Sequence, residues 1–274
     1  AKSSGTTNDK SKFIPVSHEG LQRIHYKGGA DVVALYLRNT PKSKLFDGKS
    51  LILGGSHSPN YNLAGSLVGD LSAILIENIN PFANLVRVPA KKTALLSDFE
   101  VKRDRIAQET LGKNITNISG VPSWMLSVLV RIMELSGKEH LEEVWPNLEV
   151  FFHGGIAFTP YRKQYEKLIT KSDMHYMETY NASEGFFGIQ DDPSDSSMLL
   201  MIDYDVFYEF IPMEEFGKDN ATVVPLSGIE LGRNYAMVIT TSCGLWRYVI
   251  GDTVSFTSRD PYKFVITGRT KYFI

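Results

Sequence analysis

The feature that most constrains the fold is a strand, a glycine turn and a helix that follow one another near the middle of the chain. Leu148 to Phe152 is a short apolar run that leads into His153, Gly154 and Gly155, and Thr159-Pro160 suits the start of a helix over about 161–170. This succession is what an α/β layer needs, with ligand groups at the carboxyl end of the strand. The sequence therefore predicts an α/β fold.

The first fifty residues carry a helix signal and a strand signal. Ser17 can cap a helix that carries Leu21, and Gly28-Gly29 is expected to interrupt it. Ser50 to Leu53 reads as a short buried strand that ends in the turn at Gly54-Gly55.

Two further helices are predicted before the central strand. Ser97 to Glu100 has the spacing of a capping box and starts a polar helix toward Leu111. Pro122 suits the first turn of a second helix, which is apolar on nearly every side from Trp124 to Leu135 and ends near Gly137. We expect this helix to be buried or to line a pocket.

The second half of the chain is predicted to be rich in strands. Short β-branched or aromatic runs alternate with turn residues, and we assign strands to His175–Tyr180, Met198–Ile202, Val206–Ile211, Tyr235–Thr241, Leu245–Ile250, Val254–Phe256 and Phe264–Thr267. The expected organisation is an α/β part over 1–175 and a strand-rich part over 176–274.

Composition limits the classes of function. The 274 residues are 43% hydrophobic and 22% charged, which is typical of a globular protein, and the net charge of −2 gives no reason to expect nucleic acid or an anionic membrane as partner. The single cysteine, Cys243, excludes an intrachain disulfide, and the sequence has no long apolar run. We expect a cytoplasmic protein, and both ends of the sequence look cut.

A hydroxyl-rich segment near the start is the first candidate for chemistry. Ser3 to Thr7 places four hydroxyl side chains around Gly5, and Lys12 follows after a polar run. Glycine lets a backbone approach a phosphate, while hydroxyls and a lysine supply donors and charge. Such runs are also common in solvated turns, so the segment alone leaves both interpretations open.

Two later segments place chemical groups at predicted strand ends. In the segment from Tyr180 to Gly185, a tyrosine could stack on a purine, Ser183 could reach a phosphate and Glu184 could hold magnesium. The alternative is a core tyrosine and a surface glutamate. In the segment from Leu245 to Asp252, the final carboxylate could accept hydrogen bonds from ribose, although Gly-Asp is also a common turn.

The order of these segments resembles the adenylate-forming superfamily, which includes acyl-CoA ligases and luciferase. The closer similarity is to the auxin-responsive Gretchen Hagen family of acyl acid amido synthetases, whose loop reads SSGTS with a lysine several residues on. Tyr204 to Pro212 (YDVFYEFIP) and Gly244 to Asp252 (GLWRYVIGD) are similar to its YFEFLP and GLYRYRVGD segments. Trp246 and Val249 depart from the second of these.

The resemblance implies a fold and a reaction. The fold would be part of the large amino-terminal domain of the superfamily, spanning 1–274, with mixed sheets packed on helices and the carboxyl-terminal lid domain absent. The reaction would activate a small carboxylic acid with ATP and Mg²⁺ as an acyl-AMP, and the amine of an amino acid would then displace AMP. The alternatives are an acid:CoA ligase and a non-catalytic nucleotide-binding module.

The resemblance also implies roles for individual residues. The β- and γ-phosphates would be held by Ser3, Ser4, Gly5, Thr6, Thr7 and Lys12. Tyr180 would stack near adenine, Ser183 would bind the α-phosphate and Glu184 would hold magnesium. Asp252 would bind the ribose hydroxyls with help from Arg269, and Gly154-Gly155 would form part of the adenine wall.

The acyl pocket should be apolar. The candidates for its lining are Trp124, Met125, Phe158, Phe186 and Phe187, although aromatic residues at such spacing also occur in plain cores. No general base is needed for the first step, because the acid arrives ionised at neutral pH. Among the six scattered histidines, His153 beside the glycine pair is the one most worth attention.

Overall fold

A computed structural model describes residues 1–3, 12–58 and 66–272 of the chain. The contacts divide it into two compact units. The first unit contains residues 1–2 and 40–178, and the second contains residues 3–39 and 179–274. The division expected at residue 175 places the amino-terminal helical segment in the α/β part, whereas the contacts place residues 3–39 in the second unit.

The described elements alternate between helices and strands in the first part of the chain. The strands are β1 (Lys2–Ser3), β2 (Lys12–Phe13), β3 (Lys49–Ile52), β4 (Arg87–Val88), β5 (Ile115–Gly120), β6 (Val150–Gly154), β7 (His175–Ala182), β8 (Gly185–Ile189), β9 (Met198–Leu200), β10 (Val206–Pro212), β11 (Val224–Pro225), β12 (Asn234–Thr241), β13 (Tyr248–Arg259) and β14 (Tyr262–Arg269). The α-helices are α1 (His18–Gly20), α2 (Lys27–Asn39), α3 (Leu71–Asn78), α4 (Lys91–Ala94), α5 (Phe99–Thr110), α6 (Pro122–Ser136) and α7 (Thr159–Leu168).

Shorter helical turns connect these elements. A π-helix at Leu21–Tyr26 joins α1 to α2. The 3₁₀ turns are Leu45–Asp47, Pro81–Leu85, Leu141–Glu143, Met213–Glu215, Leu226–Gly228 and Thr270–Tyr272. Within the described ranges, no helix combines the length and the apolar character that crossing a membrane requires.

The first unit is built on a parallel sheet. Its strands lie in the order β4-β3-β5-β6, and Leu51 of β3 pairs with Ile118 of β5, which pairs with Phe151 of β6. These three side chains and Met125 and Leu129 of α6 are fully buried in one apolar core. Complete burial of an aliphatic or aromatic side chain contributes about 1.5–3 kcal/mol, so the strands and α6 stabilise one another.

Helix α6 begins and ends as the sequence predicts. Pro122 occupies its first turn, and Gly137 follows it in the left-handed conformation at φ 64°. The predicted capping box before α5 is wrong by one residue, because the cap is Asp98, whose carboxylate accepts a hydrogen bond from the amide of Val101. The predicted strand at β6 and the helix that follows it are confirmed.

In the second unit, residues 18–39 form one continuous helical segment. The predicted cap is confirmed, since the hydroxyl of Ser17 accepts a hydrogen bond from the amide of Gly20 at 3.0 Å. The predicted interruption at Gly28-Gly29 is wrong, because both residues lie inside α2. A Cβ at Gly28 would lie 2.5 Å from the ring of Phe186, so this glycine permits close packing of the helix on the sheet.

An antiparallel sheet forms the rest of the second unit, with the strand order β11-β10-β12-β13-β14-β9-β8-β7. The predicted strands are present, but the two predicted at 245–250 and 254–256 form the single strand β13. Gly251, at φ 95°, lies inside β13 where its pairing with β12 is irregular. The Gly-Asp pair therefore lies at a bulge within a strand, where the sequence predicted a strand end.

Candidate functional site

The turn between β7 and β8 positions the candidate metal ligand. Ala182 pairs with Gly185 across this hairpin, so Ser183 and Glu184 form a two-residue turn. Neither turn residue has a positive φ. Both side chains are half-buried, and they lie at the end of a strand as the sequence predicts.

The carboxylate of Glu184 is linked to Lys12 through a tyrosine hydroxyl. Tyr248, the first residue of β13, donates a hydrogen bond to Oε1 of Glu184 at 3.4 Å. The same hydroxyl accepts a hydrogen bond from Nζ of Lys12 at 3.1 Å, and that ammonium lies 5.4 Å from the centroid of the Tyr248 ring. Three elements that are distant in the sequence therefore meet at one phenol oxygen.

Burial makes the Glu184 carboxylate receptive to a cation. Desolvation raises its pKa above the ordinary value, and the charge of Lys12 and the hydrogen bond from Tyr248 only partly oppose that effect. The negative charge of Asp252 raises the pKa further. A bound cation would favour the ionised carboxylate, because its positive charge would compensate for the hydration that the carboxylate loses on burial.

Asp252 is held by groups on both of its carboxylate oxygens. Tyr180 donates a hydrogen bond to Oδ2 at 2.5 Å, and Nη1 of Arg269 lies 3.2 Å from Oδ1. Asp252 and Arg269 face each other in the pairing of β13 with β14. A carboxylate has about four lone-pair positions, so these two partners leave capacity to accept hydrogen bonds from a ligand.

Tyr180 is placed as a partner of Asp252. Its ring is only 6% exposed and packs against Phe187 and Phe264, with centroid distances of 5.0 and 6.1 Å. Burial and the neighbouring carboxylate of Asp252 raise the pKa of Tyr180 well above its ordinary value, so the hydroxyl remains a donor. The predicted stacking on adenine does not fit this ring, because it presents almost no accessible face.

The predicted phosphate loop is bracketed by the described residues. Ser3 lies in β1 and Lys12 in β2, and these two strands form a two-stranded sheet. Four of the predicted phosphate-binding residues lie outside the described residues, namely Ser4, Gly5, Thr6 and Thr7. The structure therefore describes only the two residues that flank the predicted loop, Ser3 and Lys12.

The glycine pair belongs to the first unit. Gly154 ends β6, and Gly155 follows it in the left-handed region at φ 84°. His153 before them is buried and stacks on Phe158 with a centroid distance of 4.3 Å. Burial lowers the pKa of His153 to about 3, so at neutral pH its imidazole is an uncharged part of the core.

The five acyl-pocket candidates are divided between the units. Trp124, at the start of α6, is 46% exposed and contacts Phe99, whereas Met125 is fully buried. Phe158 lies in an aromatic cluster that contains His153, Tyr165 and Tyr176. Phe186 packs against Gly28 and Tyr204, and Phe187 is fully buried beside Tyr180. Core packing encloses four of the candidates, which are at most 5% exposed, so the structure does not support the predicted pocket role of Met125, Phe158, Phe186 and Phe187.

Sequence analysis missed Tyr248 as a site residue. It belongs to the GLWRYVIGD segment, but no local pattern indicates that its hydroxyl meets Lys12, which is 236 residues away. A tyrosine four residues before the candidate ribose carboxylate was the available signal. The motif assigns a role to its aspartate and none to this tyrosine.

The donor set suits a magnesium-bound nucleotide. Two half-buried carboxylates, Glu184 and Asp252, lie with the cationic side chains of Lys12 and Arg269 in the second unit. Over the described ranges 1–3, 12–58 and 66–272, no group of three or more histidine, cysteine, aspartate or glutamate residues is arranged to hold a metal. Magnesium that is bound mainly by substrate phosphates needs only one or two protein carboxylates.

Solved structures define the fold class. The chain is similar to the AtGH3.15 acyl acid amido synthetase in complex with 2,4-DB, with a TM-score of 0.77 and 19% identity over 98% of this chain and 55% of that one. It is also similar to ATP-bound MatB from Rhodopseudomonas palustris, with a TM-score of 0.54 and 16% identity over 100% and 48% of the two chains. The chain has the mixed α/β fold of the adenylate-forming enzymes.

Sequence comparison defines the family. Residues 1–174 match the GH3 family N-terminal domain, and residues 199–269 match the GH3 family central domain. The chain belongs to the GH3 family, as the resemblance of its motifs predicted.

The curated relatives are much longer than the region they share with this chain. Indole-3-acetic acid-amido synthetase GH3.3 of Arabidopsis thaliana is 31% identical over 137 residues, which are 46% of this chain and 22% of that protein. Indole-3-acetic acid-amido synthetase GH3.8 of Oryza sativa subsp. indica is 34% identical over 128 residues, which are 43% of this chain and 20% of that protein. The chain spans about half the length of the solved relative.

Proposed function

We propose that this chain is part of a cytoplasmic enzyme that uses ATP to activate a carboxylic acid and joins the acid to the amine of an amino acid. The observation that carries the proposal is the cluster of Glu184 and Asp252 with Lys12 and Arg269, built from the motifs of the family. Relatives named as amido synthetases support the same reaction.

The proposed reaction has two displacements. A carboxylate oxygen of the acid attacks the α-phosphorus of ATP, an acyl-AMP forms and pyrophosphate leaves. The amine nitrogen then attacks the acyl carbon, the amide bond forms, AMP leaves and the nitrogen loses a proton. The acid is already ionised at neutral pH, so the first displacement requires positioning and charge stabilisation and no general base.

Each polar group has a proposed task. Lys12 and the segment from Ser3 to Thr7 bind the β- and γ-phosphates, and Ser183 binds the α-phosphate. Glu184 holds Mg²⁺, which supplies positive charge against the negative charge that develops on the phosphate oxygens. Asp252 accepts hydrogen bonds from the ribose hydroxyls while Arg269 fixes its orientation.

The remaining proposed roles concern the adenine base of ATP and the carboxylic acid. Gly154-Gly155 contributes to the adenine wall, because glycine allows a planar base to approach the backbone closely. Trp124, which is 46% exposed, is the candidate residue for the lining of the apolar acyl site. An apolar lining favours an aromatic or aliphatic acid, because such an acid buries its carbon skeleton when it binds.

Exchange of labelled pyrophosphate into ATP tests the first step. We expect exchange that depends on an added acid and on Mg²⁺, measured on the protein at its full natural length with a panel of aromatic and aliphatic acids that includes indole-3-acetic acid. Glu184→Gln should reduce exchange about a hundredfold to a thousandfold, since one lost electrostatic group costs about 3–4 kcal/mol. The control is Asp192→Asn, which changes a half-buried carboxylate outside the cluster.

A second variant tests the ribose assignment. Asp252→Asn should weaken ATP binding and reduce the preference for ATP over 2′-deoxy-ATP, because the amide nitrogen cannot accept a hydrogen bond. An unchanged preference would contradict the role of Asp252. Absence of exchange with every acid in the panel would refute the proposed activity.

Product analysis separates the second step from its alternative. Incubation with the accepted acid, ATP and either amino acids or CoA should give an amide and no thioester. A thioester as the product would assign the chain to acid:CoA ligation.

A further inference from the structure

Tyr248 occupies a position between two groups of opposite charge. Its hydroxyl accepts a hydrogen bond from the Lys12 ammonium at 3.1 Å and donates one to Glu184 at 3.4 Å. Among the described residues, Lys12 and Glu184 form no ion pair within 4.0 Å, although the charge of Lys12 acts on the carboxylate. The phenol oxygen is therefore an intermediate contact between the cation and the anion.

The phenol is anchored by its own strand. Tyr248 begins β13, pairs with Ile239 of β12 and packs with its ring against the core of the second unit. The ring also faces the Lys12 ammonium at 5.4 Å from its centroid, which adds a cation–π attraction to the hydrogen bond. The sheet thus fixes the position of the hydroxyl, while Lys12 and Glu184 come from short exposed or half-buried segments.

A direct ion pair would compete with ligand binding. An ammonium that contacts a carboxylate offers less of its charge to a phosphate, and the carboxylate offers less of its charge to a cation. The Tyr248 hydroxyl accepts a hydrogen bond from Lys12 and donates one to Glu184, so each charged group has a neutral partner. Such a partner is easier to displace than an opposite charge, because neutral hydrogen bonds are weaker than ion pairs with hydrogen bonds.

We propose that Tyr248 is a positioning residue that holds Lys12 and Glu184 apart and oriented, so that one is available to the nucleotide phosphates and the other to the metal. This inference rests on the proposed function, because it names the residue that arranges that site. Tyr248 acts through its two neighbours and forms no bond to the reacting atoms.

The first experiment uses the ligand-free protein. In Tyr248→Phe the ring and its packing remain and the hydroxyl is lost, so amide hydrogen exchange should become faster at residues 12–13 and at the 183–185 turn. Tyr262→Phe is the matched control, since it removes a phenol hydroxyl from β14 of the same sheet, and that hydroxyl forms no side-chain hydrogen bond within the described ranges. Equal exchange of these segments in wild type and Tyr248→Phe would overturn the proposal.

The second experiment measures binding of a non-hydrolysable ATP analogue with Mg²⁺ by calorimetry. We expect Tyr248→Phe to bind about tenfold or more weakly and to need a higher Mg²⁺ concentration, since hydrogen bonds to charged groups are among the stronger ones. Tyr262→Phe should bind like wild type. Unchanged affinity and Mg²⁺ dependence in Tyr248→Phe would overturn the positioning role and leave the proposed function standing.

A double-mutant cycle separates positioning from general damage. If Tyr248 acts through Lys12, then Tyr248→Phe should cost little further affinity in a Lys12→Ala background. Full additivity of the two losses would overturn the proposal, because it would mean that Tyr248 acts independently of Lys12. Failure of the wild-type protein to bind the analogue would overturn the proposed function and this inference with it.

Discussion

Gly28 and Gly29 are adjacent in helix α2, and their surroundings predict opposite effects of the same substitution. A Cβ at Gly28 would lie 2.5 Å from Cγ and Cδ2 of Phe186, whereas a Cβ at Gly29 would meet nothing within 4 Å. Replacing glycine with alanine inside a helix stabilises it by about 0.5–1 kcal/mol. We expect that gain from Gly29→Ala.

Gly28→Ala should gain the same helical stabilisation and lose more through packing. A methyl group 2.5 Å from the buried Phe186 ring forces the ring or the helix to move, and overpacking of this kind costs about 1–3 kcal/mol. The helical gain cancels when the two variants are compared. Gly28→Ala should therefore be less stable than Gly29→Ala by about 1–3 kcal/mol.

Urea unfolding followed by circular dichroism measures this difference. The packing explanation also predicts that Phe186→Leu relieves the penalty of Gly28→Ala, because leucine removes the ring atoms that the methyl group meets, and leaves Gly29→Ala unaffected. Equal stability of the two alanine variants would refute the reasoning. So would a Gly28→Ala penalty that persists in full after Phe186→Leu.

Three further predictions concern the first unit. Burial lowers the pKa of His153 from 6.5 to about 3, so the unfolded chain binds the extra proton and stability should fall as pH drops below 6.5. Between pH 7.5 and 5 His153 contributes about 2 kcal/mol to this loss, so His153→Phe should lose about that much less stability than wild type, while buried His25 continues to contribute in both proteins. Tyr165→Phe removes a buried hydrogen bond to the Pro122 carbonyl and should cost about 1 kcal/mol in urea unfolding. Tyr176→Phe should cost almost nothing, because the buried hydroxyl of Tyr176 has no hydrogen-bond partner among the described residues. Lys102→Met should cost about 2–3 kcal/mol in the same assay, because the buried amine binds two backbone carbonyls that methionine leaves unpaired; a stability equal to wild type would contradict this.

Local signals predicted those elements whose ends are set by nearby residues. The proline and glycine at the two ends of α6 act through backbone conformation that is fixed within one or two residues, so the bounds follow from the sequence. Gly28 shows the limit of this reasoning. A glycine pair ordinarily weakens a helix, but here the contact with Phe186 decides the structure, and no window of sequence contains both residues.

The residues of the candidate site also fall into those that the sequence predicted and those that only the structure reveals. The motif order predicted the carboxylates Glu184 and Asp252 and the cationic residues Lys12 and Arg269, and the structure brings these residues into the second unit. The pairing of β13 with β14 explains why Arg269 reaches Asp252, and this contact follows from topology. The part that Tyr248 and Tyr180 take in the site depends on side-chain contacts between segments far apart in the chain, which single-sequence patterns do not encode.

The different surroundings of the two carboxylates give a physical reason for their different tasks. Arg269 lies 3.2 Å from Asp252 and compensates its charge, so a further cation would gain little there, while the lone pairs that remain can accept hydroxyl donors. Glu184 contacts a neutral phenol, and burial disfavours its charged form. A cation therefore gains more beside Glu184 than beside Asp252, which supports metal binding at the β7–β8 turn and ribose binding on β13.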